Sequence, residues 1–143
     1  MNFIKLMAAA LALSLSVASL SVVAADTSAS KEKVILQVSD ADPAKWNLAL
    51  NNAKNVQQDY DAAKIDVEIV VYGPGIGMLK ADSAAAKRVE EARNAGVNIV
   101  ACQNTMKANK LTEADMLPNT SYVPSGVVEL IKKQRAGYAY IRP

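Results

Sequence analysis

Two hydrophobic rhythms alternate along this chain. Residues 33–39 form a short apolar run rich in β-branched side chains, the pattern of a buried strand. Ala41, Asp42 and Pro43 interrupt it. Pro43 suits the first turn of a helix, where its missing N–H would find no partner anyway. Trp46, Ala49, Leu50, Ala53, Val56 and Tyr60 then recur at helical spacing, with Asn51, Asn52, Lys54 and Gln58 largely on the other side. Residues 65–72 begin alternating and end continuously apolar, which predicts a second strand. The Gly73-Pro-Gly-Ile-Gly77 stretch reads as a loop. Residues 82–95 predict a second helix, with Asp82 as N-cap and Gly96 just past its end. Residues 97–101 predict a third strand that delivers Cys102.

A short helix is expected through Met106 and Ala108, and another over 111–117, where Thr112 and Asp115 make a capping pattern. Residues 121–123 read as a brief strand stopped by Pro124. Ser125 suits the N-cap of a helix over 127–135, Gly137 ends that helix, and residues 138–141 read as a last strand. Strands and helices thus alternate, and the first three strands are mostly apolar. The expected fold is a single-domain three-layer α/β/α sandwich, flavodoxin- or Rossmann-like, with a mainly parallel five-stranded sheet. In such a sheet the site lies beyond the carboxyl ends of the strands, near a switch in strand order. Segments 39–42, 72–77 and 102–105 should share that rim.

Residues 1–25 do not belong to this pattern. Lys5 supplies one positive charge, residues 6–23 carry none, and Val-Val-Ala-Ala25 precedes Asp26. This is the pattern of a secretory signal peptide, with cleavage expected after Ala25 and Ala24 as the second choice. The product would be periplasmic, with a flexible lead-in over 26–32 and one domain over 33–143. Without Lys5 the remainder carries 15 basic and 14 acidic residues, a net charge of +1. That balance implies neither nucleic acid nor, after cleavage, a membrane as partner. Histidine is absent, which removes the commonest general base and metal ligand and every Cys-His or Ser-His nucleophile. Neither a metal nor a cofactor is expected.

Three candidates for chemistry remain. Gly73, Gly75 and Gly77 let the backbone approach a ligand closely, but the Lys and Ser/Thr of a phosphate loop are missing, so a turn shaping a pocket rim is the better reading. Met78 and Leu79 would line that rim or an oligomer contact. Asp40 and Asp42 lack further oxygen ligands nearby, and one of them should cap the helix at Pro43. Cys102 is the only cysteine, so no internal disulfide can form. It ends a parallel strand just before a helix, whose free N–H groups would favour a thiolate. An inert buried cysteine fits the same position. Lys107 and Lys110 stand nearby, either adding positive charge or simply solvated.

Residues 70–79 (VVYGPGIGML), 96–106 (GVNIVACQNTM) and 122–138 (YVPSGVVELIKKQRAGY) resemble the DsrE/DsrF-like family, the sulfur-relay fold also called YchN-like. The resemblance implies one α/β domain and homo-oligomers, often trimers or hexamers. It also implies, in some members, a cysteine that carries sulfane sulfur as a persulfide. Cys102 matches that cysteine's region. Gly73, Gly75, Gly77, Gln103, Asn104 and Thr105 become the pocket candidates, with Asn104 and Thr105 supplying hydrogen bonds to sulfur. The implied partners are further copies of the chain and a donor or acceptor of sulfur, either a protein or a small sulfur compound. The alternative is a small-molecule-binding or structural oligomer in which Cys102 is inert.

Overall fold

The computed structural model describes residues 31–143. The leader expected over 1–25 lies outside them. β1 (Glu32–Val38) opens one residue ahead of the expected start. It is followed by α1 (Pro43–Tyr60), β2 (Ile65–Val71), a 3₁₀ helix (Gly73–Leu79) and α2 (Ala86–Asn94). Then come β3 (Asn98–Cys102), α3 (Gln103–Ala108), a short 3₁₀ turn (Glu113–Asp115), β4 (Ser121–Val123), α4 (Gly126–Arg135) and β5 (Ala139–Ile141). The five strands form one sheet in the order β4-β3-β2-β1-β5. Every strand pair in it is parallel.

The order explains the layers. The first three crossovers step one way across the sheet, and the last returns past all of them to the far side of β1. Right-handed crossovers running in opposite directions place their helices on opposite faces. One face accordingly packs Val34, Leu36, Val67, Ile69 and Ile99 against Trp46, Leu50 and Ala53 of α1 and Val89 of α2. On the other, Ile35, Val70 and Val100 meet Leu130 of α4.

Local signals hold at several ends. Asp42 caps α1, its Oδ1 accepting from the Ala44 N–H at 2.8 Å, and Pro43 stands in the first turn. Thr112 and Asp115 form the expected capping box. Gly96 and Gly137 follow the caps of α2 and α4 with φ of +90° and +89°. Tyr60, expected on the buried side of α1, is exposed at its last turn.

Three expectations are corrected. The glycine stretch is a 3₁₀ helix rather than an irregular loop, because Ile76, Met78 and Leu79 are drawn into the core. Met78 and Leu79 are fully buried, so they line neither a rim nor an oligomer contact. Asp82 does not cap α2, which starts at Ala86. Ahead of that start, Lys80 bridges Met116 and the Ala81 N–H donates to Asp115 O at 2.9 Å, so tertiary contacts hold this backbone out of a helix.

One polar group interrupts the α4 face. Glu68 of β2 is only 2% exposed. Its Oε2 accepts from Lys133 Nζ at 2.6 Å and Asn98 Nδ2 at 2.7 Å, while Oε1 has no partner among the described residues.

Because Met78 fills space in the main core, Met78→Ala should lower unfolding free energy by about 2–5 kcal/mol in denaturant titration. A methionine at a solvent-facing rim would give well under about 1 kcal/mol.

Candidate functional site

Strand register sets a row of side chains along the carboxyl edge of the sheet. Cys102 pairs with Val123 on one side. On the other, Val71 pairs with both Ala101 and Val38, so the next residue of each strand brings Tyr72 beside Cys102 and Ser39 beside Tyr72. Side chains alternate along a strand. Cys102, two residues after Val100, therefore points to the α4 face, where Tyr72 and Val123 also pack. Burial foremost, with Tyr140 adding to it, pushes the Tyr72 phenol above its usual pKa and keeps it neutral.

The switch in the fold falls at the same place. The chain leaves β3 into α3, whose Met106 joins the α1/α2 core, and leaves β4 into α4 on the opposite face. Neighbouring strands whose connections diverge open a crevice between their ends. Gln103, Asn104, Lys107 and Pro124 line a depression of about 380 Å³ there.

The start of α3 supplies a hydrogen-bond donor to the sulfur. Cys102 is the N-cap of α3, its Sγ accepting from the Thr105 N–H at 3.4 Å. Burial by itself would raise the thiol pKa. The Thr105 hydroxyl and the backbone N–H groups of Gly126, Thr105 and Asn104 outweigh it and hold the thiol below its ordinary value. Thr105 Oγ1 also accepts from the Gly73 N–H at 2.9 Å, leaving its own proton for the sulfur. Gly126 is required by packing: a Cβ there would lie 2.9 Å from Tyr72 Cβ. Among the described residues no three acidic or cysteine side chains converge. The arrangement is therefore one of donors around a single sulfur, able to hold an anionic sulfur atom.

The expected site residues divide into groups. The Thr105 N–H donates to the sulfur, whereas the Asn104 N–H donates to Pro124 O at 3.2 Å. Gln103 is exposed at the depression. Gly73 reaches the constellation through Thr105, but Gly75 is pressed against Val38 O and Gly77 against the Trp46 ring. Gly73 and Gly77 also line an open cavity of about 640 Å³ with Lys80, Asn109 and Leu111, to which Cys102 does not contribute. Lys107 and Lys110 are exposed. Asp40 lies at the opposite end of the rim, 4.0 Å from Arg142. Gly126 was not among the expected site residues. Its only local signal is the strand-Pro-Ser-Gly-helix order at 121–127.

The sequence model of the DsrE/DsrF-like family matches residues 32–143. The chain belongs to this family. A solved DsrE-like structure, MTH1491 from Methanobacterium thermoautotrophicum, described as a protein of unknown function, superposes with a TM-score of 0.75 at 31% identity. The match covers 79% of this chain and all of that one. BT1422 from Bacteroides thetaiotaomicron, also described as of unknown function, shares the fold at a TM-score of 0.58 and 14% identity, over 78% of this chain and 95% of that one. No curated protein matches significantly. The DsrE-like match spans the constellation from Gly73 to Gly126 that surrounds Cys102.

Thr105→Val should raise the thiol pKa, read from the thiolate absorbance against pH with Cys102→Ser as blank. A lowered folded-state pKa means stability present above the unfolded pKa and lost as pH falls through the folded one. The wild type should therefore gain stability relative to Cys102→Ser as pH rises toward the ordinary thiol value of 9.0. A stability difference flat across that window would contradict the assignment.

Proposed function

We propose that this DsrE-like protein handles sulfane sulfur, held as a persulfide on Cys102. The observation that carries the reading is the Cys102 sulfur at the N-cap of α3, accepting from the Thr105 N–H at 3.4 Å, in surroundings that hold the thiol below its ordinary pKa. Membership of a family linked to sulfur relay agrees with it. In the proposed step the Cys102 thiolate attacks a sulfur of a hydropolysulfide. One S–S bond forms, the donor's S–S bond breaks, and the shortened polysulfide or hydrosulfide anion leaves. An acceptor nucleophile later attacks the outer sulfur and Cys102 departs as thiolate. No external oxidant or reductant enters either step, and the amides stabilise the anion at each stage. The leader pattern at 1–25 supports a periplasmic site of action.

Cys102 is 4% exposed, which favours a second reading: a structural oligomer whose thiol is inert. Intact mass before and after treatment with inorganic polysulfide separates the two. A reductant-reversible gain of sulfur, absent in Cys102→Ser, is expected; no gain in folded protein overturns the persulfide reading. The untreated mass of protein recovered from a periplasmic extract also reports whether the chain begins at Asp26.

Self-association is proposed through the outer face of α4, which carries Val127, Val128 and Ile131 at 50%, 46% and 43% exposure. Three large apolar side chains on adjacent turns mark an interaction surface. The assembly expected is a homotrimer or homohexamer. In sedimentation velocity the wild type should run as that oligomer and Ile131→Asp as a smaller species; a wild-type monomer would refute it.

A further inference from the structure

A second cleft lies at the other end of the sheet from the thiol. It opens where one side of α2 faces the turn over 117–120, just before β4 begins. Its volume is about 380 Å³, within the range of small-molecule sites. Ala86, Leu117 and Pro118 give it apolar walls, and Lys87, Glu90 and Arg93 give it charge. Those three side chains sum to one positive charge.

Arg93 is the fixed group. Its Nη1 donates to Pro118 O and its Nη2 to Thr120 Oγ1, each at 3.0 Å. Thr120 donates its own proton to Leu117 O at 2.6 Å, which leaves a lone pair to face the guanidinium. Two acceptors on one turn hold the planar group in a single orientation. The ordering that an arginine must undergo to bind a ligand is therefore largely complete beforehand.

Holding the turn does not exhaust the group. A guanidinium has five N–H donors, and these two bonds leave the Nε–H and one hydrogen on each Nη. Both acceptors are neutral, and among the described residues Arg93 pairs with no carboxylate. Burial, against a smaller opposing effect of Tyr122, holds its pKa below the ordinary value. A cation partly withdrawn from water and lacking a counterion favours an anion brought to it. Lys87 is 89% exposed and only 4.0 Å from Glu91, a loose pair that leaves it able to turn to the cleft. The planar fork suits a carboxylate, the surplus of one positive charge suits a monoanion, and the walls suit an apolar body.

We propose that this cleft binds a small organic carboxylate: the remaining Arg93 donors take the carboxylate, Lys87 adds positive charge at the mouth, and the apolar body lies on Ala86, Leu117 and Pro118. The cleft shares no residue with the surroundings of Cys102, so the proposal holds whether or not the thiol carries sulfur.

The test titrates ¹⁵N-labelled protein with sodium benzoate at constant ionic strength and follows the NMR spectrum. Saturable shifts should appear over 86–94 and 117–120 and at the Arg93 Nε–H, with one Kd of about 10 mM or tighter, as expected for so small a ligand. Benzamide, which has the ring without the charge, should leave the spectrum unchanged. Inorganic phosphate should bind more weakly than benzoate. Lys87→Gln changes an exposed side chain and should weaken benzoate about twofold to fivefold. Arg93→Gln should weaken it about tenfold or more, the loss of charge-assisted hydrogen bonds. Should Arg93→Gln fail to fold, the wild-type Nε–H decides: it must move with the same Kd as the backbone amides. The proposal is overturned by the absence of saturation in that range, by an unmoved Nε–H, or by benzamide or phosphate binding as tightly as benzoate. Unchanged affinity in Lys87→Gln or in folded Arg93→Gln overturns it too.

Discussion

The last crossover of the sheet runs against the other three. β5 pairs with β1, so the chain leaving β4 must return across the sheet. The handedness of parallel crossovers then places α4 alone on the face opposite α1 and α2. That reversal separates the start of α3 from the start of α4 at the ends of two adjacent strands. Cys102 ends one of those strands. Reverse the hand of the final connection and the thiol would keep its place in the chain but lose a helix terminus.

The sulfur's surroundings balance two opposed terms. Burial disfavours a thiolate, while donors aimed at it favour one, and here the donors prevail. They come from two parts of the chain. Thr105 and Asn104 lie just after the cysteine, Gly126 starts the returning helix, and Gly73 acts through the Thr105 hydroxyl. The last link ties the 3₁₀ helix after β2 to the site without touching the sulfur. Gly75 and Gly77 serve that helix instead, letting its backbone settle on Val38 and Trp46 so that Met78 and Leu79 reach the core.

The two faces of the sheet are unequally covered. One carries α1, α2 and most of the core; the other carries a single helix with one large buried side chain. The thin face holds the thiol, the half-buried ion pair and the exposed valines and isoleucine of α4. Helix placement there depends on a few specific contacts, whereas on the thick face it is over-determined by packing.

The alternating pattern of residues 33–141 determined the element order and the α/β class, because strand and helix periods are written into which positions are apolar. Caps were equally local: Asp42, the Thr112/Asp115 box and Gly96 follow from backbone groups a few residues away. Cys102 and Thr105 could be singled out because a strand end and a helix start lie within four positions. Other features depended on residues far apart in the chain. Asp82 lost its capping role to the contacts of Lys80 and Ala81 with Met116 and Asp115, and the glycine stretch became helical because the core took up Met78 and Leu79. Gly126 joined the site because strand order, which no local pattern encodes, set β4 beside β3. Glu68 read as one polar position in an apolar strand, and only the fold brought Lys133 to it across 65 residues. The sequence alone determined where a thiol could meet the first turn of its own helix. The tertiary structure decided that a second helix would meet it too, because crossover direction is a property of the whole sheet.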